Sequence, residues 1–152
     1  MDIDALRTEL LAGHPDTGAY SSDDAIAAVE INAKNRQRYK AITSAELLGW
    51  SAAASTGGRP RLIKIDEAAT AHASEDVKAA AMAAAEMVKR EGTLLDLNRA
   101  DRMALVDGLV AGGVLSSDDK TDLLQLATES ISRATELGLG LVRPGDVIQA
   151  RM

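Results

Sequence analysis

The chain has no Phe, one Trp (Trp50) and two Tyr (Tyr20, Tyr39), and this limits its fold more than any motif does. Aromatic side chains normally supply the largest buried areas. Here Ala, Leu, Ile, Val and Met must build the core. Small side chains suit helices that approach closely, and Ala has the highest helix propensity. Hydrophobic residues make up 46% of the 152 positions, a globular composition with enough chain for one core.

Apolar spacing and capping residues predict an all-α fold: a small helical bundle with an extended C-terminal tail. Ile3, Leu6, Leu10 and Leu11 recur at helical spacing before Gly13. After the turn-rich loop 13–18, Ser21 and Asp24 read as a capping box for a helix with the apolar face Ile26, Val29, Ala33. Thr43 and Glu46 form a second capping box, for a helix broken at 55–58. Residues 60–72 read either as a helix begun by Pro60 or as a short strand at 61–65. Ser74 caps an Ala-rich helix with the stripe Val77, Ala81, Ala84, Val88. Asn98 caps a helix striped by Met103, Val106 and Val110. Ser116 opens the longest helix, with Leu124, Ala127, Ile131 and Ala134 on one face and Gly138 as its stop. Helix is expected in about 60% or more of residues, against a base rate near one-third. The organisation expected is a single helical domain, 1–152, divisible into an N-terminal helical pair 1–56, a C-terminal bundle 57–138 and a tail 139–152.

The residues offer little chemistry. With no Cys, disulfides, thiolate metal sites and a Cys nucleophile are excluded. His14 lies near Asp16, and His72 near Glu75 and Asp76, but neither group has the three or four converging ligands a metal needs. Most Ser residues precede helices, where capping explains them. Asp23-Asp24 and Asp118-Asp119 fall in first helical turns, where carboxylates favour the dipole. Gly112-Gly113 and Gly138-Leu139-Gly140 follow helices, and Gly57-Gly58-Arg59-Pro60 lacks the Lys-Ser/Thr of a phosphate loop. The expectation is a non-enzyme with no metal and no cofactor. The acidic opening Met1-Asp2-Ile3-Asp4 does not read as a signal peptide. No apolar run approaches the length of a membrane span. A soluble protein made inside the cell is expected.

Two features remain as candidate contacts. Lys34, Arg36, Arg38, Tyr39 and Lys40 form a basic run with one aromatic, suited to phosphates or to an acidic partner. A net charge of −6 opposes polyanion binding, and cations at a helix C-terminus also offset its dipole. Trp50 is a candidate interface anchor, although core is its commoner use. The tail carries Leu139, Leu141, Val142, Val147 and Ile148 outside any strong helix. Such a segment needs a partner surface, which makes it a candidate intermolecular arm.

The two ends also carry a resemblance. The opening runs from an amphipathic helix through Gly13-His14-Pro15-Asp16-Thr17-Gly18-Ala19-Tyr20 and Ser22-Asp23-Asp24-Ala25-Ile26-Ala27-Ala28 to Asn32 and Asn35-Arg36. The close runs Ile131-Ser132-Arg133-Ala134-Thr135-Glu136-Leu137-Gly138-Leu139-Gly140, Val142-Arg143-Pro144-Gly145-Asp146-Val147 and Ala150-Arg151. Together they resemble a family of short proteins encoded among virion genes of tailed bacteriophages and prophages. The middle, 49–96, matches only in rhythm, and its Ala-rich helix departs from that family. The resemblance implies a structural or assembly part of the virion, made in the host bacterial cytoplasm. The commonest such part is a head–tail connector, or adaptor: a homo-oligomeric ring that docks to portal or tail proteins. DNA would pass through such a ring without specific binding. Two alternatives stay open. One is another phage structural or assembly protein, such as a tail-completion or decoration protein. The other is a helical nucleic-acid-associated protein using residues 34–40.

Overall fold

The computed structural model describes residues 1–55 and 57–152. In chain order the described elements are α1 (Ile3–Ala12), α2 (Asp24–Asn32), β1 (Arg36–Tyr39), β2 (Ile42–Thr43), α3 (Ser44–Ala52), α4 (Arg61–Ala71) and α5 (Glu75–Lys89). They continue with β3 (Leu94–Leu95), α6 (Ala100–Ala111), α7 (Ser117–Ala127), β4 (Thr128–Ile131), α8 (Arg133–Glu136) and α9 (Pro144–Arg151). Helix accounts for 59% and strand for 11%. The fold is therefore a helix-dominated α+β mixture, which corrects the all-α expectation. Strands of two to four residues have too little pattern to be read locally. Their pairing, β1 with β4 and β2 with β3, joins segments far apart in sequence.

The chain forms two compact units, Met1–Arg38 with Glu129–Met152, and Tyr39–Thr128. It passes between them after Arg38 and after Thr128, whereas the sequence placed its break at 55–58. Within that break, Thr56 lies outside the described residues.

In the first unit, α9 packs on both α1 and α2, and α8 packs on α2. The core joins Leu6, Ala27, Ala28, Ile31, Ala134, Leu139, Val142, Val147 and Ala150. Residues 139–152 are thus not the extended tail expected: Pro144 begins α9, with Asp146 accepting from the Arg143 N–H at 2.8 Å. Proline at the first helical position has no N–H to leave unpaired. The side chain of Asn32 fixes the segment before α9. Its amide donates to the Val142 carbonyl at 2.6 Å and accepts from the Val142 N–H at 3.1 Å, as a strand partner would. Arg7 donates to the Ala150 carbonyl at 2.8 Å, and Arg151 donates to the Ser22 carbonyl at 2.8 Å.

In the second unit, α4 and α5 pack along each other, with α3 and α6 on α5 and α7 against α3 and α6. Residues 61–71 are helical, so the strand reading of 61–65 fails. The pair β2–β3 is antiparallel, with Ile42 opposite Leu95. The capping box expected at Thr43/Glu46 is formed, and Ser116 and Asp119 form a further one. The box expected at Ser21/Asp24 is not, because Asp23 caps α2 and accepts from the Ala25 and Ile26 N–H groups. The helix expected from Ser116 to Gly138 ends at Ala127 and is followed by β4 and α8. One close approach is set by Gly112. A Cβ there would stand 2.6 Å from a methyl group of Val77, so the end of α6 meets α5 only because position 112 has no side chain.

Candidate assembly surface

The basic run is not the end of a helix. α2 stops at Asn32, Ala33 is extended, and β1 begins at Arg36. The explanation by helix dipole therefore does not apply. Alternation along a strand puts Arg36 and Arg38 on one face, and both meet carboxylates. Arg36 lies 2.5 Å from Asp16 and 2.6 Å from Glu136. Arg38 lies 2.7 Å from Glu129, and Lys40 lies 2.8 Å from Glu46. Glu46 is held down at about 2, first by the Lys40 ammonium and then by the Thr43 N–H and hydroxyl. Tyr39 is partly buried against the core of the second unit. Lys34 is exposed, and no ion pair reaches it among the described residues. Of the four cations, Lys34 alone keeps its charge free for a partner.

The other candidates also turn inward. Trp50 is buried, its indole N–H donates to the Asp119 carbonyl at 3.3 Å, and the Arg61 guanidinium stacks 5.1 Å from its ring centre. Leu139, Val142 and Val147 belong to the core of the first unit, which leaves Leu141 and Ile148 exposed. The expected arm is thus mostly the unit's own interior. Both histidines act as staples. Nδ1 of His14 accepts from the Asp16 and Thr17 N–H groups at 3.1 and 3.3 Å. Nδ1 of His72 accepts from the Ser74 N–H at 3.0 Å while its Nε2 meets the Gly112 carbonyl at 3.1 Å. A ring nitrogen that accepts carries no proton, so in both rings the proton sits on Nε2. Among the described residues no group of three His, Cys, Asp or Glu is placed to hold a metal ion.

Two buried ionic clusters hold the units together internally. Glu9, 5% exposed, pairs with Arg133 through bonds of 2.9 and 2.8 Å and accepts from the Tyr20 hydroxyl at 2.8 Å. Burial pushes its carboxyl up, but Arg133 and Tyr20 together hold it below its ordinary value. Burial and the neighbouring Glu9 push the Tyr20 hydroxyl far up. Asp119, 1% exposed, receives Arg61 at 2.8 Å, the Ser55 hydroxyl at 2.5 Å and the Ser116 N–H at 2.8 Å. Burial again opposes its charge, yet these donors keep it well below the carboxylate range. Every group here is already partnered, so the clusters work as structural ties.

On α2, apolar side chains face outward. On α2 the sequence placed Ile26, Val29 and Ala33 toward the core. The structure buries Ala27, Ala28 and Ile31 instead, leaving Ile26 and Val29 at 52% and 70% exposure. Beside them runs an open groove lined by Ala25, Ala28, Val29, Asn32, Ala33, Val142 and Pro144. Leu141 is exposed next to that lining, and Ile148 lies one helical turn after Pro144 on α9. The signal was present in the sequence, since both sides of α2 are apolar, but spacing alone does not say which side is covered. No family model matches the chain, and neither a curated protein nor a solved structure is significantly similar to it. Among the described residues, no helix is long and apolar enough to cross a membrane.

Proposed function

We propose that this chain is a non-enzymatic assembly protein of a tailed-phage particle, acting as a head–tail connector subunit. It self-associates into a ring and docks on portal or tail proteins. The observation that carries the reading is the outward apolar face of α2, with Ile26 and Val29 exposed. Contiguous exposed apolar surface marks a place where another macromolecule sits. The charge pattern supports the same reading, because Arg36, Arg38 and Lys40 meet carboxylates of their own chain. Phosphate binding would have to displace those partners. The resemblance of the two ends supplies the particle. In the first unit both ends meet in one core, through Leu6, Ala28, Ile31, Val142 and Val147.

Deleting the gene from the phage or prophage that encodes it tests the reading. Electron microscopy should then show filled heads and finished tails that fail to join. Normal joined particles without the protein would overturn the connector role. The nucleic-acid reading would take its place if the purified chain were retained on DNA in a salt-dependent manner.

A further inference from the structure

We infer that the second unit is a domain inserted into the first, and that the first unit opens by itself while the second stays folded. The cores divide without a shared residue. Leu6, Ile31 and Val147 lie in one, and Ile65, Leu109 and Leu123 in the other. The buried ion pairs divide the same way, with Glu9 and Arg133 in the first unit and Arg61 and Asp119 in the second. Each unit thus has its own apolar interior and its own charged tie, as a separately cooperative unit requires.

The insertion point has a definite geometry. The second unit is one continuous stretch, Tyr39–Thr128, and its ends are held together: the Lys40 N–H donates to the Ala127 carbonyl at 2.7 Å. The first unit is made of two pieces, Met1–Arg38 and Glu129–Met152. They are tied where the chain leaves and returns, by Arg38 and Glu129 at 2.7 Å and by the pairing of β1 with β4. Neighbouring ends are what allow one domain to be carried within the chain of another.

The arrangement also fixes an order. The second unit closes from its own residues. The first must bring together pieces separated by roughly 90 residues, and the entropy lost in closing a loop grows with its length. A folded second unit holds Lys40 to Ala127 and so removes that loss beforehand. The first unit is also the smaller, at roughly 60 residues, a size at which one core is marginal. With no Cys in the chain, no disulfide reinforces it. The second unit therefore folds independently, whereas the first depends on it. Neither step depends on what the chain assembles with.

Urea denaturation of the full chain tests this. Trp50 is the single Trp and is buried in the second unit, so its fluorescence reports that unit alone. Far-UV circular dichroism reports both. The dichroism should fall in two steps, the first of them silent in Trp50 fluorescence. Leu6→Ala should move the first step down by about 1 M urea or more, or abolish it by unfolding the first unit in buffer. Either way the Trp50 midpoint should stay where it was. Ile31→Val, a milder cut in the same core, should shift the first step in the same direction by less. Leu109→Ala should lower the Trp50 midpoint. A single wild-type transition that Leu6→Ala splits in two supports separate units. A transition that Leu6→Ala or Ile31→Val shifts equally in both probes overturns the inference, as does a Leu6→Ala chain that loses both units together. A helical step that outlasts the Trp50 transition overturns the order.

Discussion

At the residue scale, the most exposed consequences attach to groups whose charge is satisfied inside the chain. Asp119 is the clearest, since removing it takes the buried carboxylate at 2.8 Å from the Arg61 guanidinium, which keeps only the half-exposed Asp122, and strips Ser55 and the Ser116 N–H of their acceptor. Asp119→Ala should lower the unfolding free energy by about 3–5 kcal/mol. Chemical denaturation of the full chain measures this, and a loss under about 1 kcal/mol would show that the pair is not a structural tie. Glu46 sets a pH dependence of definite sign. Its carboxyl sits at about 2 in the folded chain against an ordinary 4.5. A depressed carboxylate stabilises fully above its unfolded value, and that stability is lost as pH falls through the folded value. The melting temperature should therefore fall from about pH 4.5 toward pH 2. Glu46→Gln should start lower at neutral pH and converge with the wild type as pH nears 2. Parallel curves would contradict the role given to Lys40 and Thr43.

At the element scale, two helix contacts carry sharp expectations. Gly112→Ala would push a methyl group into Val77, a β-branched side chain with little rotamer freedom in a helix. It should cost about 1–3 kcal/mol by overpacking, and Val77→Ala in the same chain should recover most of that loss. In the first unit, Leu6 is fully buried, and Leu6→Ala should cost about 2–5 kcal/mol. Truncation after Gly138 should unfold that unit, because α9 and Val142 are part of its core. Circular dichroism unchanged after truncation would restore the idea of a free arm. These elements also show what a sequence can and cannot display. The box at Thr43/Glu46 was legible because the motif closes within four residues, whereas at Ser21–Asp24 three adjacent capping residues competed and Asp23 took the position. The end of α7 was not legible. Leu123 and Ala127 pack into one core and Ala134 into the other, while the apolar spacing runs on without a break. The basic run misled for a related reason: the carboxylates of Asp16, Glu129 and Glu136 reach it only through the fold. Ile26 and Val29 were visible as residues, but their exposure was not.

At the scale of the whole molecule, a chain of net charge −6 keeps most of its cations in internal pairs and turns apolar side chains outward on α2. That distribution fits a protein that works by binding protein. Retention of the purified chain on DNA at about 150 mM salt should stay at the non-specific floor. Replacing Lys34 and Arg38 with Gln should not change it. The central claim is that the chain is a built-in part of a virion. Quantitative mass spectrometry of purified particles, from a phage or prophage found to carry the gene, tests this proposal most directly. The account predicts the protein in joined particles at a fixed, multi-copy ratio to the portal protein. Its absence from intact, infectious particles would contradict the account.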